Sequence, residues 1–283
     1  MADTRIRTID QTMLFAVALA TALFVAPGCA ADIEDDEWES DPDNATGEVL
    51  DEVRGGTNTS AKSWLGSVQL KAGGDWNHVC AVTLIRKRWV LTAAHCAKAL
   101  SKSAIAAGKV RVCMGIKNID DCPSSKRAIV TKKKIHPDYK STGKGWDAAV
   151  LKLDEGFNGQ RVTLAKGSQD PDGGQETRLR GWGLLQNGNA PNSLKSLEYD
   201  VYANDLCDYW WDLHANRTIY GRQLCTLATS QEGACNGDSG GPLHFQGRQV
   251  GIVSYGAANC TGGLPDVYTR ISSIRGWALN TTK

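Results

Sequence analysis

The chain has 283 residues, 41% of them hydrophobic and 22% charged, which excludes a disordered, collagenous or multi-span membrane protein. The formal charge of +1 hides a contrast: residues 1–31 sum to zero, residues 32–52 hold eleven acids and no base, and residues 53–283 hold 30 Lys+Arg against 18 Asp+Glu, a surplus of twelve. Nine cysteines without a Cys-x-x-Cys pair point to disulfides in an oxidising compartment rather than a zinc site or a cytosolic redox motif, and the odd number leaves one over.

Residues 13–26 form an apolar run behind Arg5 and Arg7, too short to span a bilayer and of the size of a secretory signal core, so residues 1–31 read as a signal peptide. The run ends Ala26-Pro27-Gly28-Cys29-Ala30-Ala31. It offers small residues for ordinary cleavage and is also similar to a bacterial lipoprotein box, with Cys29 as the lipidated residue and Ala26 where Leu or Val is usual. Both routes take Cys29 out of the pairing problem. The expected location is outside the cytoplasm, secreted or at the cell surface or periplasm, with a lipid on Cys29 as the only membrane attachment. Residues 32–52 bury too little apolar surface to order themselves and read as a propeptide or linker.

From residue 53 onward, short apolar and β-branched runs recur at 68–70, 79–85, 89–91, 110–112, 128–130, 149–153, 197–201, 251–254 and 267–271, separated by Gly, Asn, Asp and Lys clusters. This pattern predicts an all-β sandwich or barrel pair and no sustained helix for βαβ units. One terminal helix is expected, capped by Ser272 or Ser273, with Ile274, Trp277 and Ala278 on one face.

Gly237-Asp238-Ser239-Gly240-Gly241 sets a serine between glycines, where a sharp turn exposes its hydroxyl. An α/β-hydrolase elbow would need a strand-to-helix context and the order Ser, Asp, His, but the only histidine after Ser239 is His244, five residues on. The opposite order is present: Leu91-Thr92-Ala93-Ala94-His95-Cys96, then Asp147 heading the run Ala148 to Leu153, then Ser239. With Gly181-Trp182-Gly183, Ser254-Tyr255-Gly256 and Val267-Tyr268-Thr269-Arg270, the chain resembles the trypsin-like (chymotrypsin-fold) serine endopeptidases from about residue 53 to 277.

The resemblance implies two packed six-stranded antiparallel β-barrels, the first over about 53–162 and the second over about 163–283, with a short C-terminal helix. It implies that Ser239 is the nucleophile, His95 its base and Asp147 the residue that orients His95, with the Gly237 and Ser239 amides as the oxyanion hole. His78, His136, His214 and His244 are expected to be structural or surface residues. Three bridges follow from the resemblance, Cys80–Cys96, Cys207–Cys225 and Cys235–Cys260; the two cysteines left, Cys113 and Cys122, are expected to pair locally as an addition to the family's common set. Val53 would be the mature N-terminus, its ammonium pairing with Asp238, although Arg54 stands where an apolar residue is usual and the residue before the cut is Glu52. Substrate contacts fall on Gly233, Ala234, Ser254, Tyr255, Gly256 and Asp266. Gly233 stands where trypsin has its pocket aspartate, and Asp266 on the opposite wall can offer a carboxylate to the same volume. This predicts cleavage after Arg or Lys with broad tolerance; the alternative is that Asp266 fills the pocket or binds a local backbone amide, favouring small or apolar residues. No cofactor, metal or nucleic acid is expected, and the partners are protein or peptide substrates and protease inhibitors, with the enzyme a monomer. The competing function is a catalytically silent, protease-shaped binding protein.

Overall fold

A computed structural model describes residues 56–184, 191–229, 232–258, 260 and 263–283. Strand β1 (Thr57–Asn58) is followed by β2 (Leu65–Ala72), β3 (Asp75–Arg86) and β4 (Trp89–Thr92), then by helices α1 (Ala94–Ala99) and α2 (Lys102–Ala106). Strands β5 (Val110–Met114), β6 (Arg127–Ile135) and β7 (Ala149–Leu153) complete a closed antiparallel barrel in the order β2-β3-β4-β7-β6-β5. The second half contributes β8 (Glu176–Gly181), β9 (Lys195–Tyr202), helix α3 (Asn204–Ala215), β10 (Gln223–Thr226), β11 (Pro242–Phe245), β12 (Arg248–Tyr255), β13 (Asp266–Arg270) and helix α4 (Ile271–Thr281). Here β8-β9-β10-β13-β12-β11 closes on itself through a β8–β9 pairing, and β1 adds to the outer edge of β9. The fold is therefore all-β, two six-stranded antiparallel barrels with a C-terminal helix.

The first barrel's core is dominated by Val and Leu, including Val68, Val82, Leu84, Leu91, Val112 and Leu151, and is finished by Ile271, Ile274 and Ala278 from the end of the chain. The second barrel encloses Leu179, Leu224, Leu243, Val250 and Tyr268. Gln249 ties the second barrel to the first: the Thr83 hydroxyl donates to its Oε1 at 2.9 Å, and its backbone N–H donates to the Thr163 carbonyl at 2.8 Å. Bridges join Cys80 to Cys96, Cys113 to Cys122, Cys207 to Cys225 and Cys235 to Cys260.

Two sequence expectations need correction. The C-terminal helix begins at Ile271 after Arg270, with no side-chain cap; the Ser272 hydroxyl donates instead to Asp170 Oδ2 at 2.6 Å. A sustained helix also occurs inside the second half, the twelve-residue α3. Only Cys207 and Trp211 of α3 are buried, at i and i+4, while Leu206, Tyr209, Trp210 and Leu213 face solvent and obscure the stripe. The helix is held by the Cys207–Cys225 bridge, by the Trp211 indole donating to the Pro265 carbonyl at 3.0 Å, and by a left-handed Asn216 at its end.

Candidate active site

The short turn from β4 into α1 fixes the first of the expected residues. His95 lies in the first turn of α1, which is buried at Ala94, His95, Cys96 and Ala97 and tied to β3 by the Cys80–Cys96 bridge. Asp147 stands just before β7 and is fully buried. Its Oδ1 accepts the His95 backbone N–H at 2.9 Å, and its Oδ2 lies 2.7 Å from His95 Nδ1. The Ser254 hydroxyl also donates to Oδ2, at 2.6 Å, and the Thr269 hydroxyl donates to the Asp147 carbonyl at 2.9 Å. Burial pushes the Asp147 carboxyl up, but the electrostatic pull of the neighbouring His95 and the hydrogen bonds from His95 and Ser254 outweigh it and hold the group below its ordinary value. A carboxylate fixed on Nδ1 leaves Nε2 as the nitrogen able to accept a proton.

Ser239 occupies the turn after Cys235, and its carbonyl accepts the Ala81 N–H at 2.9 Å, anchoring the turn to the first barrel. A side chain on Gly240, whose φ is +75°, would overlap the Thr92 hydroxyl, so the turn packs directly onto the strand that leads to His95. Gly237 has φ +103°, and its carbonyl points to His78 Nε2 at 2.8 Å. Since a carbonyl only accepts, Nε2 carries the proton; Nδ1 then accepts from the Ser67 hydroxyl at 2.7 Å. Burial pulls His78 down to about 4, so the ring is neutral. His78 thus sets the orientation of the Gly237 peptide, a positioning role that sequence reasoning missed because the two residues are 159 positions apart.

The Asp238 carboxylate is fully buried and accepts from Gly183 N at 2.8 Å and Cys235 N at 3.0 Å. Any side chain at Gly181 or Gly183 would overlap it, which explains both glycines flanking Trp182. Burial pushes Asp238 up to about 6. Val53, the expected mature N-terminus, and Cys29 lie outside the described residues.

Asp266 opens β13 and is buried beside Gly233 and Gly256. Its Oδ2 accepts the Ala234 N–H at 2.6 Å and lies 3.2 Å from where a Gly233 side chain would begin; Oδ1 faces Gly256, where a side chain would collide with it. The Tyr199 hydroxyl gives a further hydrogen bond, yet burial still pushes Asp266 up to about 7. Tyr255 turns its ring away into a cluster with Trp211, and its hydroxyl accepts from Gln223 at 3.2 Å. His136 stacks on Trp146 at 4.7 Å and His214 on Trp210 at 5.3 Å. The one grouping of metal-ligand types among the described residues, Cys80, His95 and Cys96, is not a metal centre, because its two sulfurs are bonded to each other.

The model of the Trypsin family matches residues 53–278, nearly all of the body. The chain belongs to the trypsin family. It is a serine endopeptidase with protein substrates. Among trypsin-family relatives, a "Chymotrypsin-like serine proteinase" from Haliotis rufescens is 31% identical over 245 residues, covering 82% of this chain and 92% of that protein. "Brachyurin" from Leptuca pugilator is 31% identical over 236 residues, covering 81% of this chain and 98% of that protein. A solved structure described as "Structure of GrC" aligns with a TM-score of 0.68 at 28% identity, covering 81% of this chain and 98% of its own. No helix among the described residues is long and apolar enough to cross a membrane.

Proposed function

We propose that His95, Asp147 and Ser239 are the catalytic residues of this endopeptidase. The observation that carries the reading is the Asp147 carboxylate, buried and shared between His95 and Ser254 next to the Ser239 turn. In this mechanism Ser239 Oγ bonds to the scissile carbonyl carbon as His95 Nε2 takes the hydroxyl proton. Amides of Gly237 and Ser239 receive the developing oxyanion. The C–N bond then breaks, His95 returns the proton to the leaving amine, and water repeats the sequence on the acyl-enzyme. Labelling of the wild type, but not of Ser239→Ala, by a fluorophosphonate probe is the expected result. Failure of the wild type to label after processing refutes the reading and leaves a protease-shaped binding protein.

The proposed preference is for Arg or Lys at the cleaved residue, with broad tolerance. Asp266, a buried carboxyl that desolvation pushes toward its neutral form, gains a counter-ion when a cationic side chain enters. Ala234, Ser254, Tyr255 and Gly256 would contribute backbone to the substrate, the last three as an added antiparallel strand. In Asp266→Gly, kcat/KM is expected to fall on Arg substrates relative to Leu or Phe substrates; an unchanged ratio overturns the charge role.

The chain is proposed to be exported by residues 1–31, by simple cleavage or with Cys29 lipidated, and to act as a monomer sensitive to protease inhibitors. Cleavage at Glu52-Val53 would release residues 32–52 and bring the Val53 ammonium to Asp238. N-terminal sequencing of active enzyme should read Val53; another start refutes this route.

A further inference from the structure

On the outer wall of the second barrel, facing the first, lies a cavity of about 760 Å³ that includes none of His95, Asp147 or Ser239 in its lining. Four cationic side chains, Lys62, Arg161, Arg178 and Arg180, line it against two acids, Glu176 and Glu198. One acid is taken: Glu198 forms an ion pair with Arg178, its antiparallel partner across β8 and β9. Arg180, two residues along the same face of β8, has no carboxylate partner among the described residues, and its Nε is buried without a hydrogen bond. His244, 8% exposed on neighbouring β11, lines the same cavity with both ring nitrogens buried and unpartnered. The Trp64 ring lies against His244, centroids 4.5 Å apart, and gives the cavity an apolar wall.

Three buried polar atoms without partners, on residues that line one cavity, are costly: the Arg180 Nε–H and the one imidazole N–H lose their water without gaining an acceptor, and the bare ring nitrogen loses it without gaining a donor. A ligand that satisfied the two donors would bring oxygen acceptors for the arginine and the imidazole N–H, negative charge for the surplus of cations, and a flat apolar body for Trp64. Neither a cation nor a purely apolar molecule meets those needs.

We propose that this cavity is a carboxylate-binding site in which Arg180 forms the ion pair, His244 donates a second hydrogen bond, and Trp64 packs against the ligand's body. The carboxylate has two available sources, a free organic acid or the acidic stretch 32–52 of the same chain. Some carboxylates of that stretch lie only a few residues ahead of β1, and Thr57 of β1 lines a smaller adjoining cavity together with Arg178. The site shares strands with the machinery in front of it. Arg180 immediately precedes Gly181, on which Asp238 rests, and His244 lies five residues after Ser239.

The test is a calorimetric titration of the full chain carrying Ser239→Ala, which cannot digest itself, with isophthalate and with its uncharged diamide. Saturable one-to-one binding of isophthalate is expected, with the diamide at least tenfold weaker. Arg180→Gln should weaken isophthalate about tenfold or more, and Arg180→Lys by less, because it keeps the charge and loses the fork. His244→Phe keeps the Trp64 contact and removes the donor, so it should fold even if Arg180→Gln does not, and should weaken binding several-fold. The proposal is overturned if wild-type sites do not saturate, if the diamide binds equally, or if both Arg180→Gln and His244→Phe bind as tightly as the parent. Neutralising the acids of residues 32–52 by Asp→Asn and Glu→Gln separates the sources, and both results keep the site. Tighter isophthalate binding identifies the leader as the resident carboxylate, and unchanged binding identifies a free acid.

Discussion

Replacing His78 with Phe isolates one hydrogen bond behind the proposed oxyanion hole. The ring can stay where it is, edge-on to Trp182 at 6.0 Å, but the Nε2–H to the Gly237 carbonyl is lost. That carbonyl belongs to the Gly237–Asp238 peptide, at a glycine with φ +103°; the Asp238 N–H of the same peptide donates to the Cys235 carbonyl at 2.9 Å, so the plane is held at both ends and loses one of its two anchors. Leaving a buried carbonyl unpaired costs about 1–3 kcal/mol, and at 1.36 kcal/mol per decade this is about 5- to 150-fold. The ceiling is complete loss of one oxyanion donor, about 10²–10³ in rate. The proposed donors, the Gly237 and Ser239 amides, lie in the peptides on either side of this one and shift with it; because they meet negative charge only as the tetrahedral species forms, the loss should appear in kcat with KM little changed. Steady-state hydrolysis of a peptide anilide measures it. Ser67→Ala, which removes only the group orienting His78, should lose less. A kcat for His78→Phe within twofold of wild type would refute the reasoning.

Gly183→Ala places a methyl where the Asp238 carboxylate sits, so a loss of about 1–3 kcal/mol in urea unfolding and a clear drop in kcat are expected. Gly276→Ala, exposed in α4 with open space around it, should instead gain about 0.5–1 kcal/mol, and equal effects at the two sites would contradict the packing argument. For His244, the folded chain keeps the ring neutral down to about pH 3 while an unfolded histidine titrates near 6.5. The unfolded state binds more protons in that window, so stability falls as pH drops below 6.5, by up to about 1.4 kcal/mol per pH unit from this residue. Urea midpoints of Ser239→Ala protein in carboxylate-free buffer should show a shallower acid slope when His244→Phe is added. Removing Cys113–Cys122 by paired alanines opens a nine-residue separation and should cost about 2.6 kcal/mol by loop entropy, with kcat/KM unchanged, as read by unfolding and kinetics side by side.

The central strands were legible because they carry dense apolar runs; β7 is the clearest, Ala149 to Leu153 with four of five residues buried. Strands β8, β10 and β11 were not read as strands from the sequence. The inward face of β8 offers only Thr177, Leu179 and Gly181 between charged residues, β10 buries Gln223 and Thr226 as fully as its apolar pair, and β11 opens on a proline. Helix α3 eluded the periodicity test because its exposed apolar residues outnumber its buried ones, and its placement depends on a disulfide and a tryptophan rather than on an amphipathic stripe. Of the candidate site, short motifs pointed to His95, Asp147, Ser239 and Asp266 as proposals. The side-chain bond from Ser254 and the histidine behind Gly237 were hidden because they join residues 107 and 159 positions apart.

The packing of α4 has a consequence for the order in which the molecule can be built. Ile271, Ile274 and Ala278 follow every strand of the second barrel in the chain, yet belong to the core of the first. A nascent chain that has completed β2 through β7 therefore holds a barrel with one side of its core open to water, and it closes only once α4 has been made. The Asp147 carbonyl likewise waits for Thr269, and its carboxylate for Ser254. Synthesis of the first half alone thus cannot yield a working enzyme: the pieces that bury the acid and seal the first barrel all come from β12, β13 and α4.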